Sequence, residues 1–223
     1  MKTDRILIVA AHPDDEILGC FGTVAKMINE GAEAMTLILS KGITSRDSYS
    51  EKDIDDIEKQ SIEANKIIGI NKVILKNFPD QRFDSVDLLD IIKVIEQVKN
   101  EFRPDIIFTH FANDLNIDHC ITNKAVLTAT RPMVGETVKE IYAFEILSST
   151  EWNYPLSFSP NYFQNIEKTF NLKIEAMKKY GGELREYPHP RSVEGITLNA
   201  KRWGMRIGNV EYAEAFQVLR III

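Results

Sequence analysis

Short apolar runs alternate with amphipathic stretches along the first two thirds of the chain. The runs predict strands over 5–10, 34–40, 72–76, 105–109 and 140–147, with a final strand over 213–223. Apolar residues at helical spacing predict helices over 16–30, 51–68, 86–100, 118–130, 167–180 and 192–204. This alternation is typical of an α/β domain with a Rossmann-like, doubly wound, mostly parallel sheet and helices on both faces. We expect the final strand to lie at an edge of that sheet.

Length and composition fit one cytoplasmic domain. The 223 residues can bury a substantial core, and no linker, repeat or low-complexity segment divides 1–223. The apolar run Ile6 to Ala11 is too short for the core of a signal peptide or for a membrane span. The two cysteines, Cys20 and Cys120, lie far apart in predicted helices, which argues against a disulfide framework. We therefore expect a cytoplasmic protein without a membrane segment.

The charge balance narrows the range of partners. The formal net charge is -6, from 27 basic and 33 acidic residues. A general nucleic-acid binder needs a basic surface that neutralises phosphates, so this class is excluded. A small or neutral substrate is the better expectation.

Chemistry-bearing residues cluster in two loops that the predicted sheet brings together. His12-Pro13-Asp14-Asp15 follows the first strand, and the polar loop His110 to His119 follows the fourth. In open parallel sheets, ligands bind beyond the carboxyl ends of the strands, where the winding direction reverses. If the strands lie in the order 3, 2, 1, 4, 5, the first and fourth strands are neighbours and their loops meet.

Two imidazoles and a carboxylate converge in this arrangement. His12, Asp15 and His119 form a three-ligand set that leaves a coordination position for water, as catalytic zinc sites do. A cation there would offset the repulsion among the acids at 14–16, and the amides at the start of the first helix would help. Taken singly, these residues could be a helix cap or satisfied strand-end and helix-start residues. Three of the four histidines lie in the two loops, however, which favours the metal interpretation.

Three motifs resemble one known family. Ala11-His12-Pro13-Asp14-Asp15-Glu16, Asn116-x-Asp118-His119 and Tyr212-Ala213-Glu214-x-Phe216 are similar to the zinc-dependent N-deacetylases of the PIG-L (LmbE-like) family. The resemblance implies a hydrolase that removes an N-acetyl group from an amino sugar or its conjugate, of the N-acetylglucosamine type. His12, Asp15 and His119 would hold Zn²⁺, and Asp14 would be the general base for the zinc-bound water. Relatives often form homo-oligomers, and the apolar tail 219–223 offers a contact.

The resemblance also suggests supporting residues. Many members carry a histidine at position 116, where it is thought to stabilise the oxyanion; Asn116 can donate a hydrogen bond there, and His110 is an alternative donor. Asp118 is expected to orient His119 or a neighbouring group, or else to cap a helix. Substrate contacts are expected from four residues, each of which could instead be an ordinary structural or surface residue. These are Arg46, Asp80, His110 and His189, the last in a segment with Arg191 that can fold back toward the pocket.

The same residues allow two functions other than hydrolysis. His12 and Asp14 with His119 could form the two-histidine, one-carboxylate site of iron(II) oxygenases. Those enzymes usually have all-β double sheets, which the strand-helix alternation argues against. A non-catalytic nucleotide- or sugar-binding module could use the same sheet. The first turn has no Gly-x-Gly-x-x-Gly motif, and acids stand where a phosphate would bind.

Overall fold

A computed structural model of the chain describes residues 4–45 and 48–223, which form one seven-stranded sheet with helices on both faces. The strands are β1 (Arg5–Ala10), β2 (Glu33–Ser40), β3 (Val73–Phe78), β4 (Ile106–His110), β5 (Glu140–Phe144), β6 (Tyr162–Asn165) and β7 (Ala213–Ile221). The helices are α1 (Asp15–Asn29), α2 (Glu51–Lys66), α3 (Leu88–Phe102), α4 (Ile117–Ala129), α5 (Phe170–Met177) and α6 (Val193–Ile207). Within the described ranges, no helix combines the length and the apolar character that a bilayer span requires.

The first five strands form the parallel part of the sheet. The strand order is β3-β2-β1-β4-β5-β7-β6, and β1 pairs in parallel with both β2 and β4. Every residue of β1 from Ile6 onward is buried, as expected for a strand that is covered on both faces. Ile6 and Ile8 face one apolar cluster, and Leu7 and Val9 face the other. The predicted fold class is confirmed, and β1 and β4 are neighbours as the predicted strand order required.

The C-terminal end of the sheet departs from the prediction. β7 is not an edge strand, because it lies between β5 and β6 and pairs antiparallel with both. The edge strand is β6, four residues that lie in a stretch interpreted as irregular. The buried residues Ala213, Ala215 and Phe216 explain why β7 needs neighbours on both sides. The strand expected over 140–147 ends at Phe144.

A buried ion pair joins this C-terminal end to helix α1. The carboxylate of Glu214 accepts hydrogen bonds from the backbone N–H groups of Gly22 (3.1 Å) and Thr23 (2.7 Å). Lys173 Nζ donates to Glu214 Oε1 (2.6 Å) and to the carbonyl of Leu18 (2.8 Å). Side chains from α5 and β7 thus fix the backbone of the helix whose first turn carries the candidate site.

Candidate active site

The turn between β1 and α1 is tightly held by its own carboxylates. Asp15 Oδ2 accepts a hydrogen bond from the backbone N–H of His12 (2.8 Å), and Glu16 Oε2 accepts one from that of Asp14 (3.1 Å). Asp14 has φ 91°, in the left-handed region that residues other than glycine rarely adopt. The turn therefore orients His12 outward from the strand end while Asp14 and Asp15 begin the helix.

The loops after β1 and β4 bring His12, Asp15 and His119 together. Asp15 Oδ2 lies 3.3 Å from His12 Nδ1 and 3.4 Å from His119 Nε2. All three side chains are buried, and one ligand atom from each lies within 4.8 Å of the others. The Nε2 atom of His119 is buried without a hydrogen-bond partner in the described part of the chain. Two imidazoles, a carboxylate and an unsatisfied ring nitrogen fit a divalent metal ion.

The side chain of Asp118 contacts the ring of His12 and not that of its sequence neighbour His119. His12 Nε2 is 2.9 Å from Asp118 Oδ2, and the same carboxylate accepts hydrogen bonds from the backbone N–H groups of Gln81 (2.7 Å) and Phe83 (2.9 Å). Because the carboxylate accepts, Nε2 carries the proton and Nδ1 is left as the ligand atom. The expectation that Asp118 orients a neighbouring group is met at His12. Asp118 is fully buried behind this ring and does not line the cavity.

His119 has its own supporting carboxylate, Asp114, which the sequence analysis did not single out. Asp114 Oδ1 lies 3.1 Å from His119 Nδ1. The hydroxyl groups of Ser149 and Thr150 donate hydrogen bonds to the two oxygens of Asp114. The acid-rich character of the loop was the available signal, but nothing in its spacing distinguishes Asp114 from the other polar residues there. A buried carboxylate thus lies beside each of the two candidate ligand imidazoles, as is usual for histidines that bind metals.

The surplus of carboxylates around these imidazoles favours a positive charge. Burial opposes protonation of His12, but hydrogen bonds with Asp118 and Asp15 outweigh it and raise the pKa of His12 to about 10. At His119, burial is likewise outweighed by Asp15 and Asp114, so the pKa rises to about 9. A bound divalent cation would satisfy the same excess of negative charge.

Asp14 lies outside the metal-ligand set and faces Arg191. Arg191 Nη1 lies 2.8 Å from Asp14 Oδ2 and 3.5 Å from Glu183 Oε2, while Arg191 Nε donates to Ser148 Oγ (2.9 Å). Burial holds the pKa of Asp14 well above its ordinary value, and the guanidinium of Arg191 acts to lower it. The segment containing Arg191 therefore reaches the cavity, as the family resemblance suggested.

A polar cavity of about 260 Å³ opens over these groups. Asp80 and Asn116 both line it. Asp80 is buried, accepts a hydrogen bond from Ser45 Oγ (2.6 Å) and lies 3.2 Å from His12 Nε2. Asn116 is the N-cap of α4; its Oδ1 accepts from the backbone N–H of Asp118 (2.9 Å), which leaves its amide N–H groups for another partner.

His110 and His189, two of the four residues expected to contact substrate, do not line the cavity. His110 is fully buried, its Nε2 accepts from the backbone N–H of Ala11 (2.9 Å), and its ring stacks on His119 with centroids 4.1 Å apart. Burial lowers the pKa of His110 well below its ordinary value. Because its ring is fully buried and does not line the cavity, His110 supports His119 and does not reach a bound substrate. His189 does not line the cavity either, and its ring packs edge-on against Trp152. Arg46 lies outside the described residues.

The sequence was compared with protein families and curated proteins. The model of the family described as PIG-L, GlcNAc-PI de-N-acetylase, matches residues 7–130, which include all three candidate ligands and Asp14. An Escherichia coli K12 protein described as an uncharacterized deacetylase, YaiS, is 31% identical over 185 residues. The alignment covers 80% of this chain and 91% of that relative.

Solved structures share the fold over almost the whole chain. N,N'-diacetylchitobiose deacetylase from Pyrococcus horikoshii has a TM-score of 0.79 at 19% identity and covers 98% of this chain and 85% of its own. The 4-carboxy-2-hydroxymuconate hydratase from Pseudomonas putida KT2440 has a TM-score of 0.78 at 20% identity and covers 99% of this chain and 98% of its own. At these identities the likeness shows the fold alone, and the reaction has to be argued from the site.

Proposed function

Because the chain belongs to the PIG-L (GlcNAc-PI de-N-acetylase) family, we propose that it is a zinc-dependent hydrolase that removes the acetyl group from an N-acetylated amino sugar or its conjugate. One observation carries the proposal. A buried set of two imidazoles and one carboxylate lies beside a second buried carboxylate, Asp14, within one polar cavity. Metal-assisted amide hydrolysis needs both parts: a site for a Lewis acid and a separate group that moves protons.

We assign His12, Asp15 and His119 as the zinc ligands. The alternative grouping of His12 with Asp80 and Asp118 shares only the first of these. It is less suited to a metal, because both oxygens of Asp118 already accept backbone hydrogen bonds. When bound, zinc polarises an amide carbonyl and lowers the pKa of water toward neutrality.

Asp14 is the proton-transfer group in this proposal. Its carboxylate takes a proton from the attacking water and returns it to the nitrogen of the leaving amine. A pKa raised by burial suits both steps, since the same group must accept and release a proton near neutral pH. The ion pair with Arg191 keeps the carboxylate oriented between the steps.

Asn116 is the proposed oxyanion donor. It lines the cavity beside His119, and its amide N–H groups are available because its oxygen caps α4. An amide can donate a hydrogen bond to the developing negative charge but cannot carry a positive charge or give up a proton. Asn116→Ala should therefore lower turnover roughly 100-fold while zinc content stays unchanged. Equal turnover would remove Asn116 from the mechanism.

The proposal is tested by product analysis on a panel of N-acetylated sugars, glycosides and nucleotide sugars. Zinc-loaded wild type should release free amine and acetate in equal amounts from at least one of them. Identifying both products separates deacetylation from the water addition that a hydratase of this fold carries out. Asp14→Asn should lower kcat by a factor of about 10² to 10⁴ with zinc content retained. Undiminished activity would reject Asp14 as the base, and release of amine from no panel member would reject the substrate class.

A further inference from the structure

The carboxylate of Glu16 is buried and surrounded by donors, and the mechanism above gives it no part. The residue is fully buried. Its Oε1 accepts hydrogen bonds from Tyr180 Oη (2.6 Å) and Asn65 Nδ2 (3.0 Å), and its Oε2 accepts the backbone N–H of Asp14 (3.1 Å). Burying a carboxylate is costly unless donors of this kind compensate it. Three donors from three parts of the chain converge on Glu16.

The orientation of these donors is fixed by further contacts. Thr36 Oγ1 donates to Asn65 Oδ1 (2.6 Å), so the oxygen of that amide points away from Glu16. Asn65 Nδ2 also donates to the carbonyl of Ser61 (2.9 Å). The amide group can therefore face Glu16 only with its N–H side. The backbone N–H of Asp14 is a donor in every state of the protein.

The hydrogen bond from the backbone N–H of Asp14 to Glu16 Oε2 involves the residue at which the chain adopts a left-handed backbone conformation. A non-glycine residue at φ 91° persists only where its surroundings determine that conformation. The carbonyl of Asp14 accepts from Ile17 N (3.0 Å) and Leu18 N (2.9 Å), which ties it to the first turn of α1. Its N–H group has Glu16 Oε2 as acceptor. These two groups belong to the peptide units on either side of the Asp14 Cα atom, so a change in the Asp14 φ angle cannot keep both attachments.

We propose that Glu16 is a positioning residue that holds the backbone of Asp14 in the left-handed conformation and so directs the Asp14 carboxylate into the cavity. Tyr180 and Asn65 in turn hold Glu16. The inference rests on the proposed function in one respect, namely that Asp14 is the proton-transfer group. Through Glu16, Asn65 of α2 and Tyr180 after α5 are connected to Asp14, the proposed proton-transfer residue.

Glu16→Gln is the direct test. The two side chains have the same shape, and the single glutamine oxygen satisfies most donors where it accepts from both Tyr180 Oη and Asn65 Nδ2. The new NH₂ group then faces the backbone N–H of Asp14, so two donors meet there. A misplacement of the base by ~1 Å costs roughly 100-fold in rate. We therefore expect kcat to fall about that much, with KM and zinc stoichiometry unchanged. The cobalt-substituted protein should keep the absorption spectrum of wild type, because the metal ligands are not displaced.

Glu145→Gln is the matched control. Glu145 Oε1 accepts hydrogen bonds from Asn199 (2.8 Å) and Trp203 (2.6 Å), and a glutamine oxygen can keep both. This variant should retain the wild-type kcat. Tyr180→Phe keeps the Asp14 bond but removes one donor to the Glu16 charge, and it should lose roughly tenfold in kcat. It tests the proposal even if Glu16→Gln does not fold.

A crystal structure of zinc-loaded Glu16→Gln separates this inference from the proposed function. Asp14 should leave the left-handed region in the variant, whether or not a substrate is known. If wild type deacetylates nothing but Asp14 moves, the proposed function fails and the positioning role stands. Wild-type kcat in both Glu16→Gln and Tyr180→Phe, or an unchanged Asp14 φ in Glu16→Gln, would overturn the inference.

Discussion

The two sides of the candidate site are built in different ways. The metal side lies at the ends of the parallel strands β1 and β4, and its ligands fall within the range 7–130 that the family model matches. The opposite side comes from segments after β5 and α5, where Arg191 reaches Asp14 across 177 positions of sequence. The Arg191 side chain is 27% exposed, whereas that of Asp14 is 3% exposed. Regular structure thus positions the proposed metal ligands, whereas loops, the usual carriers of specificity, contact the proposed base.

The buried ion pair between Lys173 and Glu214, which joins the C-terminal part of the chain to α1, gives the largest expected effect on stability. Glu214→Ala leaves Lys173 buried without its counter-charge, and breaking a buried ion pair in this way costs about 3–5 kcal/mol in the free energy of unfolding. Urea denaturation of the metal-free protein measures it. The double variant Lys173→Met, Glu214→Leu should recover most of the loss, because no unpaired charge remains. A single variant as stable as wild type would show that α1 does not depend on this pair.

The metal side is tested by removing the carboxylates behind the imidazoles. Asp118→Ala and Asp114→Ala should each lower zinc affinity by about 10- to 100-fold, because each carboxylate fixes the tautomer and orientation of one ligand ring. Competition with a chelator of known affinity measures the change. Asp90→Ala, an exposed position on α3, is the control and should bind zinc as wild type does. Wild-type affinity in both test variants would mean that the rings are held by packing alone.

The sequence predicted the parallel half well because apolar runs, helical spacing and one motif agreed there. Apolar runs and helices of period 3.6 predicted the parallel sheet, and the expected strand order placed β1 next to β4 and brought His12, Asp15 and His119 together. His110 shows the limit of this reasoning. The predicted strand stopped one residue short, whereas β4 includes His110. Its side chain therefore points into the core beside Phe144 and not into the loop.

The C-terminal half was harder to predict, because its contacts follow no local period. β6 has four residues, too few for a pattern to stand out, and its pairing with β7 joins segments about fifty positions apart. The approach of Arg191 to Asp14 depends on the path of a loop between α5 and α6. The family resemblance suggested that this segment returns to the pocket, but hydrophobic patterning could not identify the residue that enters it.

Arg191 tests the loop side of the site. Arg191→Lys keeps the charge but cannot hold Asp14 and Ser148 together with one planar guanidinium. We expect roughly a tenfold loss in kcat, the size of one charge-assisted hydrogen bond, with zinc affinity unchanged. Arg131→Lys, exposed after α4, is the matched control. If zinc affinity fell together with kcat, the division between a metal side and a loop side would be wrong.

The smallest expected effect concerns Glu145, which follows β5 and does not line the site cavity. Burial raises the pKa of Glu145, although hydrogen bonds from Asn199 and Trp203 act to lower it. A folded-state pKa above the unfolded value means that ionisation opposes folding, so this residue's contribution to stability is lost as pH rises through the raised pKa. Glutamine keeps the acceptor oxygen and cannot ionise.

The stability of Glu145→Gln relative to wild type should therefore increase with pH. Urea unfolding of both proteins at a series of pH values, from about pH 4, near the ordinary carboxyl pKa, to about pH 8, measures the difference in unfolding free energy. We expect the unfolding free energy of Glu145→Gln, relative to that of wild type, to be larger at the higher pH. A difference that does not change with pH would mean that folding leaves the ionisation of Glu145 unaltered. In that case the burial of Glu145 between Asn199 and Trp203 carries no electrostatic cost.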